Sequence, residues 1–503
     1  MADTRILSAK KNICVSLCCQ MITLICGIII PQQMINAFGS EVYGATVSIA
    51  QFLSYITLLE GGIGGVARAA LYKPLADQDI DRISAVMAEI KRFFRIVGCI
   101  FLLYVLVIAC SFNLLSNTAV LDWTSTFFLV IAISTSTFSQ YFIGISNMIL
   151  LQAAQRQYLT NLINIAGIVV NTLLVVLLIS LKRSIVEVKL VSGVVFAIKP
   201  VILWLCVRSK YHLRHVTEKH TNYLKQKWSG IGQHIAFFLH SNTDVVILTC
   251  FTGLKPVAVY SVYNMVVGNM QNLVSSFLSG MEAIFGDMLA KKEEKQLNNA
   301  FEIYETIISI AAVVLFSVTA VMILPFVKLY TANVTDANYH APIFAYLLIM
   351  SALVNCLRMP YHAMVIAAGH FKQTRVSAYS EAIINVLLSI VLVPLSDLAG
   401  VAFATFVATL FRMVYYAFYL SKNIVKRRVR LLAMRSGVNA TVLLLVFIVG
   451  KRITALFTMT SYGVWALCGI MVTVASMVIT VAINVVFYRQ NCRALLAAAK
   501  RRR

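Results

Sequence analysis

Apolar runs of about 20 residues, each long enough to cross a hydrocarbon core about 30 Å thick as a helix rising about 1.5 Å per residue, recur along the whole chain and are separated by short polar clusters. They lie near 13–36, 42–62, 93–112, 124–147, 158–181, 187–208, 229–252, 257–282, 300–327, 342–367, 376–394, 399–420, 437–450 and 464–487. The pattern predicts an all-α polytopic membrane protein with fourteen transmembrane helices. The thirteenth run is short unless it extends toward Leu456. The opening MADTRILSAKK supplies a basic flank, but the run behind it is too long for a signal peptide and has no small-residue cleavage site. It reads as an uncleaved first helix.

Composition agrees: of 503 residues, 60% are hydrophobic and only 13% charged, with mean hydropathy +0.82. The formal net charge of +23 could suggest nucleic acid, but the 43 Lys and Arg fall in short clusters between the apolar runs, which makes anionic lipid headgroups the expected partner. With the N-terminus placed in the cytoplasm, most of these cations fall on the inner side, among them Lys422, Lys426, Arg427, Arg428, Arg430 and Arg435 after helix 12. The positive-inside rule therefore predicts that both termini are cytoplasmic. Of the 11 cysteines, Cys14, Cys18, Cys19, Cys26, Cys99, Cys110, Cys206, Cys250, Cys356 and Cys468 sit inside apolar runs with no CxxC pair, and read as small reduced hydrophobes.

The chain also repeats itself. LLQAAQRQYLTNLINIAGIVVNTLLVVLL from Leu150 overlays MVIAAGHFKQTRVSAYSEAIINVLLSIVLV from Met364 at an offset of 214, matching Ala153 to Ala367 and Asn171 to Asn385. An earlier echo pairs Val42-Tyr43 with Val259-Tyr260 at an offset of 217. The expected organisation is a six-helix lobe over 1–228, a second over 229–430, and helices 13 and 14 with a basic tail over 431–503. An even helix count gives both halves one orientation, as in parallel-repeat transporters, with a substrate path expected between them.

Three cations lie within predicted spans: Lys199, Arg358 and Arg412. Charge in hydrocarbon costs roughly 2.5–3.5 kcal/mol even on insertion scales, so each demands a polar surrounding. Lys199 shifted by 214 falls one residue from Arg412, so both repeats carry a cation at similar depth. Ser351, Asn355, Arg358 and His362 share one helical face, and further polar stripes run through Tyr260, Asn264, Gly268, Gln271 and Ser275 and through Asn161, Asn164 and Asn171. Pro200 and Pro360 free the carbonyls of Phe196 and Cys356 beside two of the cations. The combination predicts a hydrated anion site, with Lys199, Arg358, Arg412, Asn355 and His362 as its candidates. A snorkelling stem for Lys199, and structural ion pairs for the arginines, are the plainer readings. Asp244, His240 one turn earlier, Glu60 before Gly61-Gly62-Ile63-Gly64-Gly65, and Glu381 are candidates to take up a coupling proton or sodium ion; the plainer reading of Glu381 and Glu60 is that they neutralise an embedded arginine or face the interface.

FGSEVYG, LLEGGIGGVAR, SNTDVVILTCFTGLKPVAVYSVYNMV and AAGHFKQTRVSAYSEAIINVLLSIVLVPLSDLAGVAFAT, in this order, resemble the polysaccharide transporter branch of the multidrug/oligosaccharidyl-lipid/polysaccharide flippase superfamily. The resemblance spans nearly all of helices 1 to 12. It implies a V-shaped bundle like that of multidrug and toxin extrusion (MATE) transporters. It further implies movement of undecaprenyl-pyrophosphate-linked oligosaccharide, as in O-antigen or capsule assembly, from the cytoplasmic to the periplasmic leaflet of a bacterial inner membrane, alongside other polysaccharide-assembly membrane proteins. By location, Lys199, Arg358 and Arg412 match the cationic cavity of that family, and helices 13 and 14 match the extra pair that forms a lipid-tail groove in related flippases.

A multidrug antiporter on the same fold is the first competitor; carboxylates rather than embedded cations would suit its cationic cargo. A membrane-embedded polymerase or ligase is the second, and the short outer loops count against it. No GxxxxGK[ST] phosphate loop is present, so ATP hydrolysis is not built into the chain.

Overall fold

The computed structural model describes residues 2–116, 121–214, 231–276, 281–425 and 430–489. These form fifteen helices and no strand. In order they are α1 (Ala2–Ser54), α2 (Ile63–Ala76), α3 (Ile80–Ser116), α4 (Trp123–Ser139), α5 (Ile145–Ala153), α6 (Gln157–Ser180), α7 (Ile185–Tyr211), α8 (Ile231–Phe251), α9 (Leu254–Ser276), α10 (Met281–Ala290), α11 (Glu294–Tyr330), α12 (Pro342–Ala367), α13 (Phe371–Asn423), α14 (Arg430–Ala455) and α15 (Tyr462–Phe487).

Among the described residues, eleven helical stretches are long and apolar enough to cross a membrane, and each of the fourteen expected runs falls on a helix over its described residues. α1 and α13 each hold two, joined where the backbone leaves helical geometry at Gly39 (φ 83°) and at Ser396–Asp397 (φ 45° at Asp397). α4 and α5 form one span through a π turn at Gln140–Gly144. α2 and α10 are short additional helices. The thirteenth span is longer than its apolar run suggests, because Arg430, Arg435, Lys451 and Arg452 depress the local hydropathy while remaining helical. Side chains supply several starts: Asp122 caps α4, Ser184 and Glu187 form a reciprocal capping box on α7, and Ser461 caps α15.

The repeat seen in the sequence is also written into the backbone. Left-handed joints recur 214 positions apart at Gly39 and Gly253, Gln78 and Lys292, and Gln155 and Gly369. α3 and α11, also 214 apart, are each 37 residues long.

Two compact units result, one of residues 1–238 with 248–258 and the other of 239–247 with 259–503. In the first, α1 packs on α6, α4 on α7, and α6 on α7. Glycines allow two close approaches: a Cβ on Gly44 would fall 2.0 Å from the carbonyl oxygen of Leu254, and one on Gly193 2.4 Å from that of Ala132. In the second unit, α12 packs on α13, while α11 carries α14 and α15. Val321, Met322, Cys468 and Val472 form the core of that attachment, and Gly450 meets Val321 so closely that a Cβ would lie 2.7 Å from its methyl group. Large apolar side chains such as Leu103, Val107, Leu173, Val391 and Val478 remain exposed, the surface a bilayer would cover.

Candidate functional site

In the first unit, the cation of interest lies beside a kink. Pro200 cannot donate to the carbonyl of Phe196, and Ser139 donates to the neighbouring carbonyl of Ala197 at 2.9 Å. Gly144, the last residue of the π turn, lets α4 and α5 approach that kink: a Cβ there would stand 3.1 Å from Pro200 Cγ. Such π turns interrupt a helix at functional sites more often than elsewhere. Lys199 then lines a cavity of about 290 Å³ together with Ser136, Gln140, Thr160, Asn164 and Phe196. Its ammonium stands 5.0 Å from the centre of the Phe196 ring, and among the described residues no carboxylate is within ion-pairing distance. The Thr160 hydroxyl is buried without a partner among the described residues.

A second cavity, of about 430 Å³, shares Ser136, Gln140 and Met148 with the first and is lined by Glu60. The Glu60 carboxylate accepts a 2.6 Å hydrogen bond from Tyr141. No arginine neutralises it among the described ion pairs. The glycines after it do not serve close helix packing, since a Cβ on Gly62 or Gly65 would meet open space. Gly61 and Gly62 instead adopt φ of 53° and 80°, the left-handed turn that separates the Tyr55–Glu60 segment from α2.

The second unit gathers the other candidates around one carboxylate. Glu381, fully buried on α13, accepts from Arg358 of α12 at 2.8 Å and from Arg412 on the second arm of α13, and His240 Nε2 of α8 lies 3.6 Å away. Arg358 also donates to Asn355 at 2.6 Å, and Arg412 to the Tyr416 hydroxyl at 3.0 Å. His362 stacks on the Tyr416 ring at 6.0 Å between centres. Two guanidiniums facing one carboxylate leave a formal charge of +1 with His240 neutral. The three embedded cations thus have two kinds of surrounding: Lys199 lines a cavity, and Arg358 and Arg412 share a counter-ion.

One turn along α8, Asp244 accepts from Tyr260 at 3.1 Å and from Thr405 at 3.2 Å, and Asn385 donates to Thr405 at 2.8 Å. Thr409, which donates to the Thr405 carbonyl at 2.8 Å, is 3.5 Å from His240, so the Asp244 cluster adjoins the Glu381 cluster. Asn385 Oδ1, Ser389 Oγ, His240 Nδ1 and Arg412 Nε are buried without partners among the described residues. Asp244 and the hydroxyls of Tyr260 and Thr405 thus bring their oxygens together beside the Glu381 cluster.

Sequence reasoning missed a further charged pair. Arg435, expected in the basic inner segment, is 7% exposed, pairs with Glu305 of α11 at 2.6 Å, and donates to Thr306 at 3.0 Å. Tyr361 donates to the same Glu305. Ser309 with Asn439, at 2.9 Å, and Ser317 with Ser476, at 2.9 Å, extend this polar seam between α11 and the last two helices. The Thr306, Ser309 and Ser317 periodicity of α11 carried that signal.

No family model and no curated protein matches the sequence. Solved structures do match its fold. The lipid II flippase MurJ, in an inward closed conformation, superposes with a TM-score of 0.69 at 14% identity, covering 95% of this chain and 99% of that one. The two share one fold along almost their whole length. An inward-facing multidrug resistance MATE family transporter of the MOP superfamily gives 0.58 at 12% identity, covering 81% and 98%. An outward-facing one gives 0.54 at 13%, covering 82% and 94%. The two kinds of solved structure differ in reach. Residues 431–503, about a seventh of the chain, exceed the twentieth left unmatched by MurJ, so the flippase comparison extends into α14 and α15.

Proposed function

We propose that this protein is a flippase for a lipid-linked oligosaccharide, carrying an undecaprenyl-pyrophosphate-linked repeat unit of O-antigen or capsule type from the cytoplasmic to the periplasmic leaflet of a bacterial inner membrane, with both termini cytoplasmic. The observation that carries the reading is Lys199: an embedded ammonium with no carboxylate within ion-pairing distance among the described residues, lining a cavity whose other walls offer hydroxyls and amides. Moving a diphosphate headgroup through hydrocarbon requires groups that replace its water, and charge-assisted donors do this best. Serine, threonine, asparagine and glutamine side chains at the same cavity suit sugar hydroxyls. The match to a lipid flippase over nearly the whole chain supports the same choice.

In this reading Arg358 and Arg412, with Asn355 and His362 beside them, provide a second cationic element whose availability is set by Glu381. Asp244 takes up the coupling proton or sodium ion, and the His240–Thr409–Thr405 contacts relay that event to Glu381. Alternating access then carries the headgroup across while the isoprenoid tail stays in the bilayer.

A multidrug antiporter is the second reading, favoured by the MATE structures and by Glu60, a carboxylate lining the cavity next to that of Lys199. Liposomes containing the purified protein, offered fluorescent lipid-linked oligosaccharide and a lipophilic cation separately, distinguish the two. Transport of the glycan lipid alone is expected; transport of the cation alone overturns the flippase reading.

A further inference from the structure

The inner end of α7 holds a third cavity, of about 830 Å³, that the transport reading does not use. Lys91 of α3, Asn147 of α5, and Trp204, Arg208, Ser209 and His212 at the end of α7 line it. None of the described lining residues is acidic, and no ion pair engages Lys91, Arg208 or His212 among the described residues. Arg208 lies over the Trp204 ring at 5.2 Å, which fixes its guanidinium at the rim. The carbonyls ending α7 contribute partial negative charge, which Arg208 and Lys210 in its last turn offset.

Asn147 supplies an independent sign of a ligand. It is 1% exposed; its amide nitrogen donates to Ile143 at 2.6 Å, while Oδ1 is buried without a partner among the described residues. An acceptor left so is costly unless something donates to it. Cations for an anion, one buried acceptor for a hydroxyl, and an indole of the kind that settles at the headgroup level together define the ligand. We propose that this cavity binds a phosphate bearing neighbouring hydroxyls: Lys91 and Arg208 hold the phosphate oxygens, and a ligand hydroxyl donates to Asn147. The phosphoglycerol headgroup of an anionic lipid and the sugar-phosphate part of a lipid-linked glycan share this chemistry. Met148 and Leu203 line the Lys199 cavity, and their sequence neighbours Asn147 and Trp204 line this one. The proposal does not rest on the identity of the transported cargo.

Native mass spectrometry of the purified full chain tests it, using phosphatidylglycerol, phosphatidic acid and phosphatidylcholine with the same acyl chains. Phosphatidylglycerol is expected to be retained most, and the K91A/R208A double variant, altered only at exposed or half-buried positions, to lose at least about tenfold of that retention, as expected for two charge-assisted contacts. N147L is expected to bring phosphatidylglycerol down to the level of phosphatidic acid. Competition by a short polyprenyl-diphosphate disaccharide assigns the site to the glycan lipid, and its failure to compete assigns it to the phosphoglycerol lipid; either supports the shared chemistry. Equal phosphatidylglycerol retention by wild type and double variant, or equal retention of phosphatidylglycerol and phosphatidic acid by the wild type, overturns it.

Discussion

At the residue scale, the distinction that matters is between a cation with a buried counter-ion and one without. Removing Arg412 leaves Glu381 with Arg358, whereas removing Glu381 leaves two buried guanidiniums facing each other. Breaking a buried pair from one side costs about 3–5 kcal/mol. Glu381→Gln is therefore expected to lower the thermal midpoint of the purified protein more than Arg412→Ala does, and a smaller loss for Glu381→Gln would contradict the shared counter-ion. Lys199 has no such duty. Lys199→Ala is expected to leave the midpoint nearly unchanged while cutting transport by about tenfold or more, the worth of a charge-assisted contact, with partial rescue by Lys199→Arg. Asp244→Asn should blunt the dependence of transport on a proton or sodium gradient; undiminished gradient dependence would discard the relay. The sequence placed these side chains within long apolar helices, because hydropathy averages report such segments well. It did not reveal that Arg358 and Arg412 share Glu381, since the positions are separated by 23 and 31 residues and meet only through helix packing.

At the element scale, the fold is governed by where helices break and where they touch. Joints at Gly39 and Gly253 and at Gln155 and Gly369 repeat because each half reuses one chain path, and the repeat was legible in the sequence for that reason. The α11 seam was not legible: Arg435 looks like one more cation in a basic inner segment until Glu305 is found opposite it. Hydropathy averages over a window and cannot see a single buried pair. Two substitutions test the packing. Gly44→Ala would set a Cβ against a backbone carbonyl, which cannot yield as a side chain can, and Gly450→Ala would press on the Val321 methyls. Overpacking of this kind costs about 1–3 kcal/mol, with Gly44 at or above the upper end. Thermal midpoints in detergent check the order, and a harmless Gly44→Ala would contradict the approach of Leu254.

For the whole molecule, the number of spans, the repeat and the extra helical pair were all readable from apolar periodicity, because a bilayer imposes one length on every crossing helix. The cargo was not, since the polar side chains at the Lys199 cavity, such as Thr160, Asn164 and Gln140, follow a spacing that spells out no monosaccharide. The comparison with MurJ reaches into α14 and α15. The central claim is that the Lys199 ammonium, which has no ion-pair partner among the described residues, receives a lipid diphosphate in its cavity. Its most direct test is transport by liposome-reconstituted wild-type and Lys199→Ala protein, side by side, of fluorescent lipid-linked oligosaccharide and of a lipophilic cation. Wild type is expected to move only the glycan lipid and Lys199→Ala to lose that activity while remaining folded; glycan transport undiminished in the variant, or cation transport by the wild type alone, would contradict the account.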